Sequence, residues 1–364
     1  MSKKLVTILV SLFCVVCLIT FGFLLYKNKE QHDNMKKQAV ILKSSSKLLE
    51  KEQSGEENGK SSSENKTTSD KPEIVPKSPE AKQKVMETDE ATMDALGLHY
   101  DYANLSLTQV IQTYMDEVGI EPSQIALSYK DLTTGQTFAM NETQPMTAGS
   151  TYKLPLNMLV VDEVAKGNLS MEERFDITHT AFEYQGEHDN YVAAFNGAMT
   201  ISDMQEYSLV YSENTPAYAL AERLGGMEKA HELFSNYGQS KSTEVKTINQ
   251  DNKTTTDYYI QVLDYLWKNK EKYKDILYFI GESFPNEYYK RYLRDITIYQ
   301  KPGYVREALN VDAIVMEEKP YIVALYTSCL GGATEYSDEI SGVGIEQIGQ
   351  LSYIINEWHR VNMN

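Results

Sequence analysis

Ser150 and Lys153 are the pair from which chemistry can first be read in this chain. They stand in Ala148-Gly149-Ser150-Thr151-Tyr152-Lys153-Leu154-Pro155, the entry to an apolar helix expected from Ser150 to about Lys166. Three residues apart on a helix, they share one face. A serine at a helix start has free backbone N–H groups beside it. A lysine one turn on takes the serine's proton once burial lowers its pKa. Together they are the smallest device for making an acyl-serine. The spacing alone is common: Ser44–Lys47 and Ser63–Lys66 repeat it in polar sequence. Most such matches are a capping serine near an unrelated lysine.

Two later groups supply what an acyl-serine site needs. In Tyr211-Ser212-Glu213-Asn214, Ser212 can relay a proton to a leaving group, and Asn214 can donate to an amide carbonyl and contact Lys153. The plain alternative is helix-cap chemistry. In Lys301-Pro302-Gly303, expected just after a strand, Lys301 would add positive potential near Ser212 and attract a substrate carboxylate. Gly303 would let substrate approach the strand backbone. The Tyr304 and Ser150 N–H groups together could form an oxyanion hole. The plain alternative is a Pro-Gly turn beside a solvated lysine.

The elements that must hold these residues follow from patterning. Leu105–Val118 has helical apolar spacing. Gln124–Tyr129 and Gln136–Met140 flank Asp131-Leu132-Thr133-Thr134-Gly135 as a hairpin. Helices are expected at Ile201–Tyr211, Thr215–Leu224, Met227–Tyr237 and Thr256–Asn269. Strands return at Asp295–Gln300, Val311–Met316 and Tyr321–Thr327, and a helix over Ile345–Arg360 closes the chain. The fold class is therefore α+β, sandwich-like, with an antiparallel sheet built from both chain ends and an all-helical block inserted between.

The N-terminal quarter differs. Leu5–Tyr26 is uncharged and, at 1.5 Å per residue, spans roughly 33 Å as a helix, enough for a bilayer core. Residues 1–26 read as a cytoplasmic stub and uncleaved transmembrane anchor, since no small-x-small cleavage site follows. Residues 27–95 read as a disordered polar linker reaching about 45 Å from the membrane on average. Residues 96–364 form the globular domain, expected outside the cell membrane. Through Leu96 there are 15 Lys/Arg and 14 Asp/Glu, leaving 20 basic against 38 acidic residues in the domain. Such charge disfavours nucleic acid and anionic lipid as partners of the domain. Cys14 and Cys17 lie in the apolar run, and Cys329 stands alone beyond it. His179 and His231 lack partners at metal spacing, so neither metal nor cofactor is expected. Glu183, Tyr184, Glu187, His188 and Tyr191 form a polar aromatic stretch that either walls a cleft or is ordinary surface loop.

Ser-x-x-Lys, Ser-x-Asn and Lys-x-Gly occur in this order, each at a fitting element. With Tyr211-Ser212-Glu213-Asn214-Thr215-Pro216-Ala217 running into Arg223-Leu224-Gly225-Gly226, and with Asp312-Ala313-Ile314-Val315, the domain resembles the class A β-lactamase-like, penicillin-recognising serine hydrolases. The resemblance implies a five-stranded sheet of the β-lactamase/transpeptidase type. It implies Ser150 as nucleophile, Lys153 as its base, Ser212 as proton relay and Tyr304 in the oxyanion hole. Asn214, Lys301 and Gly303 would bind substrate, a D-alanyl peptide or ester, a β-lactam, or another peptidoglycan-type molecule of the cell envelope. Two departures stand out. Pro302 replaces a hydroxyl residue that helps hold the substrate carboxylate. The Glu-x-x-x-Asn loop that activates deacylating water is missing, Glu244 being a poor substitute. The expectation is a membrane-anchored serine acyl-hydrolase or acyltransferase with slow or absent β-lactam turnover. The alternative is an inactive envelope-binding scaffold that keeps the fold.

Overall fold

The computed structural model describes residues 77–363. The expected membrane anchor and most of the expected linker lie outside the described residues. Among these residues no helix is long and apolar enough to cross a membrane.

Two short helices, α1 (Pro79–Glu87) and α2 (Glu90–Leu96), precede α3 (Leu107–Val118). The strands β1 (Ile125–Asp131) and β2 (Thr137–Met140) form the first hairpin. A 3-10 turn, Gly149–Tyr152, enters α4 (Lys153–Ala165). The helical block comprises α5 (Gln185–Ala194), α6 (Ile201–Val210), α7 (Asn214–Arg223), α8 (Met227–Leu233), α9 (Thr256–Lys268) and α10 (Lys274–Glu282). Then β3 (Ile298–Val305), β4 (Ala308–Val315) and β5 (Tyr321–Thr327) return to the sheet, and α11 (Gly342–Asn362) ends it. The sheet order is β2-β1-β5-β4-β3, antiparallel throughout. Both chain ends thus build one sheet, as the sequence pattern suggests.

Local chemistry explains the boundaries. Ser106 and Gln109 form a reciprocal capping box at the start of α3, and Gly119 ends it in the left-handed region. In the first hairpin the Asp131 carboxylate accepts from Thr133 N at 3.0 Å and Thr134 N at 2.5 Å, an Asx turn. Side chains alternate along the strands. Tyr321, Val323 and Leu325 of β5 join the core beneath α3 and α11. Ile322, Ala324 and Tyr326 face the core of the helical block. Covered on both faces, β4 and β5 are buried along their whole length, which is why they read as apolar runs.

Three expectations need correction. The linker expected to run to residue 95 gives way earlier, because α1 and α2 dock on α11. Lys77 Nζ donates to Arg360 O at 2.7 Å, and Tyr353 Oη to Asp89 at 2.6 Å. Arg360 lies 3.2 Å from the Asp89 carboxylate. Beside these polar contacts only Met93 of the two helices is buried in the core, with Val85, Met86 and Leu96 packed against that core, so there is little apolar period to read. The stretch around Glu187 is helix α5 rather than loop, and α10 was not anticipated. Lys301 sits inside β3, not after it, paired with Asp312 of β4. Pro302 argues against a strand locally, but β3 is an edge strand, where a residue lacking an N–H is tolerated.

Candidate active site

The turn that carries Ser150 is fixed from four sides. Ala148 N donates to Asn252 O at 2.7 Å. The buried Asn310 of β4 donates to Thr147 O at 2.6 Å and Ala148 O at 3.2 Å. Tyr326 Oη of β5 lies 2.9 Å from Thr151 Oγ1. The fourth side is β3. A Cβ on Gly303 would fall 2.6 Å from Ala148 O and 2.8 Å from Thr151 N. Gly149, at φ +59°, would bring a Cβ within 2.9 Å of Tyr304 N. Gly303 is therefore required for the strand to meet the serine turn; the approach its missing side chain permits is the protein's own. That contact also places the Tyr304 N–H beside the turn that bears Ser150.

Lys153 opens α4 and is fully buried. Its Nζ lies 3.0 Å from Ser150 Oγ, 2.5 Å from Ser212 O and 2.6 Å from Asn214 Oδ1. Burial lowers its pKa from 10.5 to about 7, against the opposing pull of Glu187, Glu213 and Glu183. Two of its three partners are carbonyl oxygens, which only accept. A neutral amine must give them its two hydrogens, so its lone pair faces Ser150, the one partner with a proton to donate. With the amine neutral, Ser150 is thus the one partner whose proton Lys153 can accept.

Ser212, at φ +61°, sits between α6 and α7 in the left-handed region, rare for a residue with a side chain. It sends its carbonyl to Lys153 and its hydroxyl to Lys301 Nζ, 2.8 Å away. Lys301 also donates to Pro302 O at 2.8 Å. Burial, then the nearby Lys153, pushes the Lys301 pKa well down, while Asp312 pulls it up. Asp312 is itself buried, with its pKa raised by desolvation against the Tyr326 hydroxyl and Lys301.

Asn214 begins α7, and two carboxylates from the segment before and within α5 hold it. Glu187 Oε1 accepts from Asn214 N at 2.9 Å and Thr215 N at 2.6 Å. This places a negative charge on a helix N-terminus, worth about 1 kcal/mol. Glu183 Oε2 accepts from Asn214 Nδ2 at 3.0 Å. Burial, and after it the Glu187 charge, raises the Glu213 pKa. The structure therefore brings Ser150, Lys153, Ser212, Asn214, Lys301, Gly303 and Tyr304 to one place. Of the polar aromatic stretch, Glu183 and Glu187 support the site. His188 is buried and lies 2.9 Å from Ile177 O through Nε2. Asn310, Asp312 and Tyr326 were not singled out as site residues. Their signal was polar groups inside otherwise apolar strands.

Glu244 is exposed and is not among the acids that act on Lys153. Its loop is tied to α9 instead: Ser240 Oγ and Lys241 N donate to the Asp257 carboxylate at 2.6 and 2.7 Å.

A family model described as the β-lactamase enzyme family matches residues 106–358. Solved structures share the fold. An acyl-enzyme complex of a PBP-A variant with penicillin G is 19% identical, covers 68% of this chain and 96% of its own, and has a TM-score of 0.55. A β-lactamase from Xanthomonas campestris pv. campestris is 16% identical, with 70% and 98% covered and a TM-score of 0.57. The TLA-3 extended-spectrum β-lactamase is 22% identical, with 68% and 96% covered and a TM-score of 0.56. No curated protein matches the chain.

Proposed function

This chain belongs to the β-lactamase enzyme family, and from that premise we propose that it is a serine acyl-hydrolase or acyltransferase working through an acyl-Ser150 intermediate. The observation that carries the reading is the Lys153 amine, buried against two carbonyl acceptors and 3.0 Å from Ser150 Oγ. Ser150 attacks a substrate carbonyl while Lys153 takes its proton. The Ser150 and Tyr304 N–H groups receive the developing oxyanion. Ser212, hydrogen-bonded to Lys301, passes a proton to the leaving group.

The substrate class is a D-alanyl peptide or ester, or a β-lactam, met at the cell envelope. The uncharged run Leu5–Tyr26 serves as a single membrane anchor with the domain outside. Glu244, exposed on a loop held to α9, is not placed as a water-activating base, so the acyl-enzyme formed with a β-lactam is long-lived.

Intact-protein mass spectrometry after incubation with a penicillin tests this. A persistent adduct that Ser150→Ala abolishes is the expected result; no adduct on the wild-type chain refutes the reading. Pro302 motivates the scaffold alternative, which requires Ser150→Ala, at equal expression, to behave as wild type in the cell.

A further inference from the structure

Asn214 is the group expected to meet an amide carbonyl on the acyl side of a substrate, and its side chain is engaged at both ends. Oδ1 accepts from Lys153 at 2.6 Å, and Nδ2 donates to Glu183 Oε2 at 3.0 Å. An amide nitrogen carries two hydrogens, so one remains for a substrate atom. Whatever occupies that position lies beside the Glu183 carboxylate. A carbonyl oxygen taking that hydrogen is repelled by the carboxylate beside it; an ammonium cannot accept from the amide and is held instead by the Glu183 carboxylate itself. Glu183 is exposed; its charge acts on the buried Lys153 amine, and it accepts a hydrogen bond from Asn214. Tyr184, 57% exposed, lies beside Glu183.

We propose that Glu183 is a specificity-determining residue that turns the acyl side of the cleft toward substrates bearing a free α-ammonium group, unacylated aminoacyl esters and thioesters, over their N-acylated counterparts. The inference rests on the acyl-serine reading above.

The test offers the full chain two reagents separately near neutral pH: a D-alanyl thioester with its amine free, and the same thioester N-acetylated. Ser150 Oγ attacks the thioester carbonyl, the C–S bond breaks, and the thiol leaves with the proton taken from the serine. Adduct formation is followed by intact-protein mass spectrometry. The free-amine thioester reacts faster by about two- to fivefold, the scale of one exposed ion pair. Glu183→Gln keeps a carbonyl acceptor for Asn214 Nδ2 but removes the charge, so the ratio of the two rates falls by about two- to fivefold. A residue that merely orients Asn214 would leave that ratio unchanged in Glu183→Gln. An unchanged ratio, or a wild-type preference for the N-acetyl reagent, overturns the proposal while leaving the acyl-serine reading intact. If neither thioester nor a penicillin labels Ser150, the acyl-serine reading falls and takes the proposal with it.

Discussion

The pH dependence of Ser150 acylation tests the site most directly, because it reads the protonation of Lys153. Folding lowers the Lys153 pKa from 10.5 to about 7, a differential cost of about 5 kcal/mol for holding the ammonium in this site. With a pKa of about 7, about one tenth of Lys153 is neutral at pH 6 and about nine tenths at pH 8. Labelling by a fluorescent penicillin should therefore rise roughly tenfold between those values and level off above about pH 8. A lysine titrating near its ordinary value would give a rise of about a hundredfold over the same interval, with no plateau. The assay is the second-order labelling rate from about pH 5.5 to 9.5, read by gel fluorescence; an unbroken climb through about pH 9 refutes the base assignment. Glu187 is the largest acidic influence raising the Lys153 pKa, so Glu187→Gln moves the midpoint to lower pH. The glutamine oxygen can still accept from Asn214 and Thr215. The sign for stability follows from the same fall. Between about 7 and 10.5 the unfolded chain binds more protons at this lysine, so its contribution to stability rises with pH across that window.

Two further outcomes are expected. Gly303→Ala would set a Cβ 2.6 Å from Ala148 O and 2.8 Å from Thr151 N, forcing β3 off the serine turn. It should lower the melting temperature, by about 1–3 kcal/mol of stability, and abolish penicillin labelling of the molecules that remain folded at lower temperature. Labelling at the wild-type rate would contradict the close approach. Glu244→Gln should leave the lifetime of the penicilloyl adduct unchanged, since Glu244 is exposed on a loop tied to Asp257; an adduct that persists longer in the variant would make Glu244 the deacylating base.

The sequence alone determined the elements that rely on local chemistry. β5 was legible because Tyr321–Thr327 is an apolar run covered on both faces, and α9 because its apolar residues recur at helical spacing. The order of the three motifs, each at a recognisable element, pointed to the family. Other features depend on contacts that carry no local pattern. The docking of α1 and α2 rests on a few scattered apolar residues, Met93 foremost, and on polar contacts, so their composition reads as a tether. Pro302 reads as a turn, yet it lies in a strand because the sheet places that strand at its edge. Only the tertiary structure decided that Gly303 serves the serine turn. It alone decided that Lys153 meets two carbonyls and Ser150, and that Glu183 and Glu187 hold Asn214 from across the helical block. The reason is physical: burial and hydrogen-bond complement set a side chain's charge and direction, and both are properties of neighbours brought from distant parts of the chain.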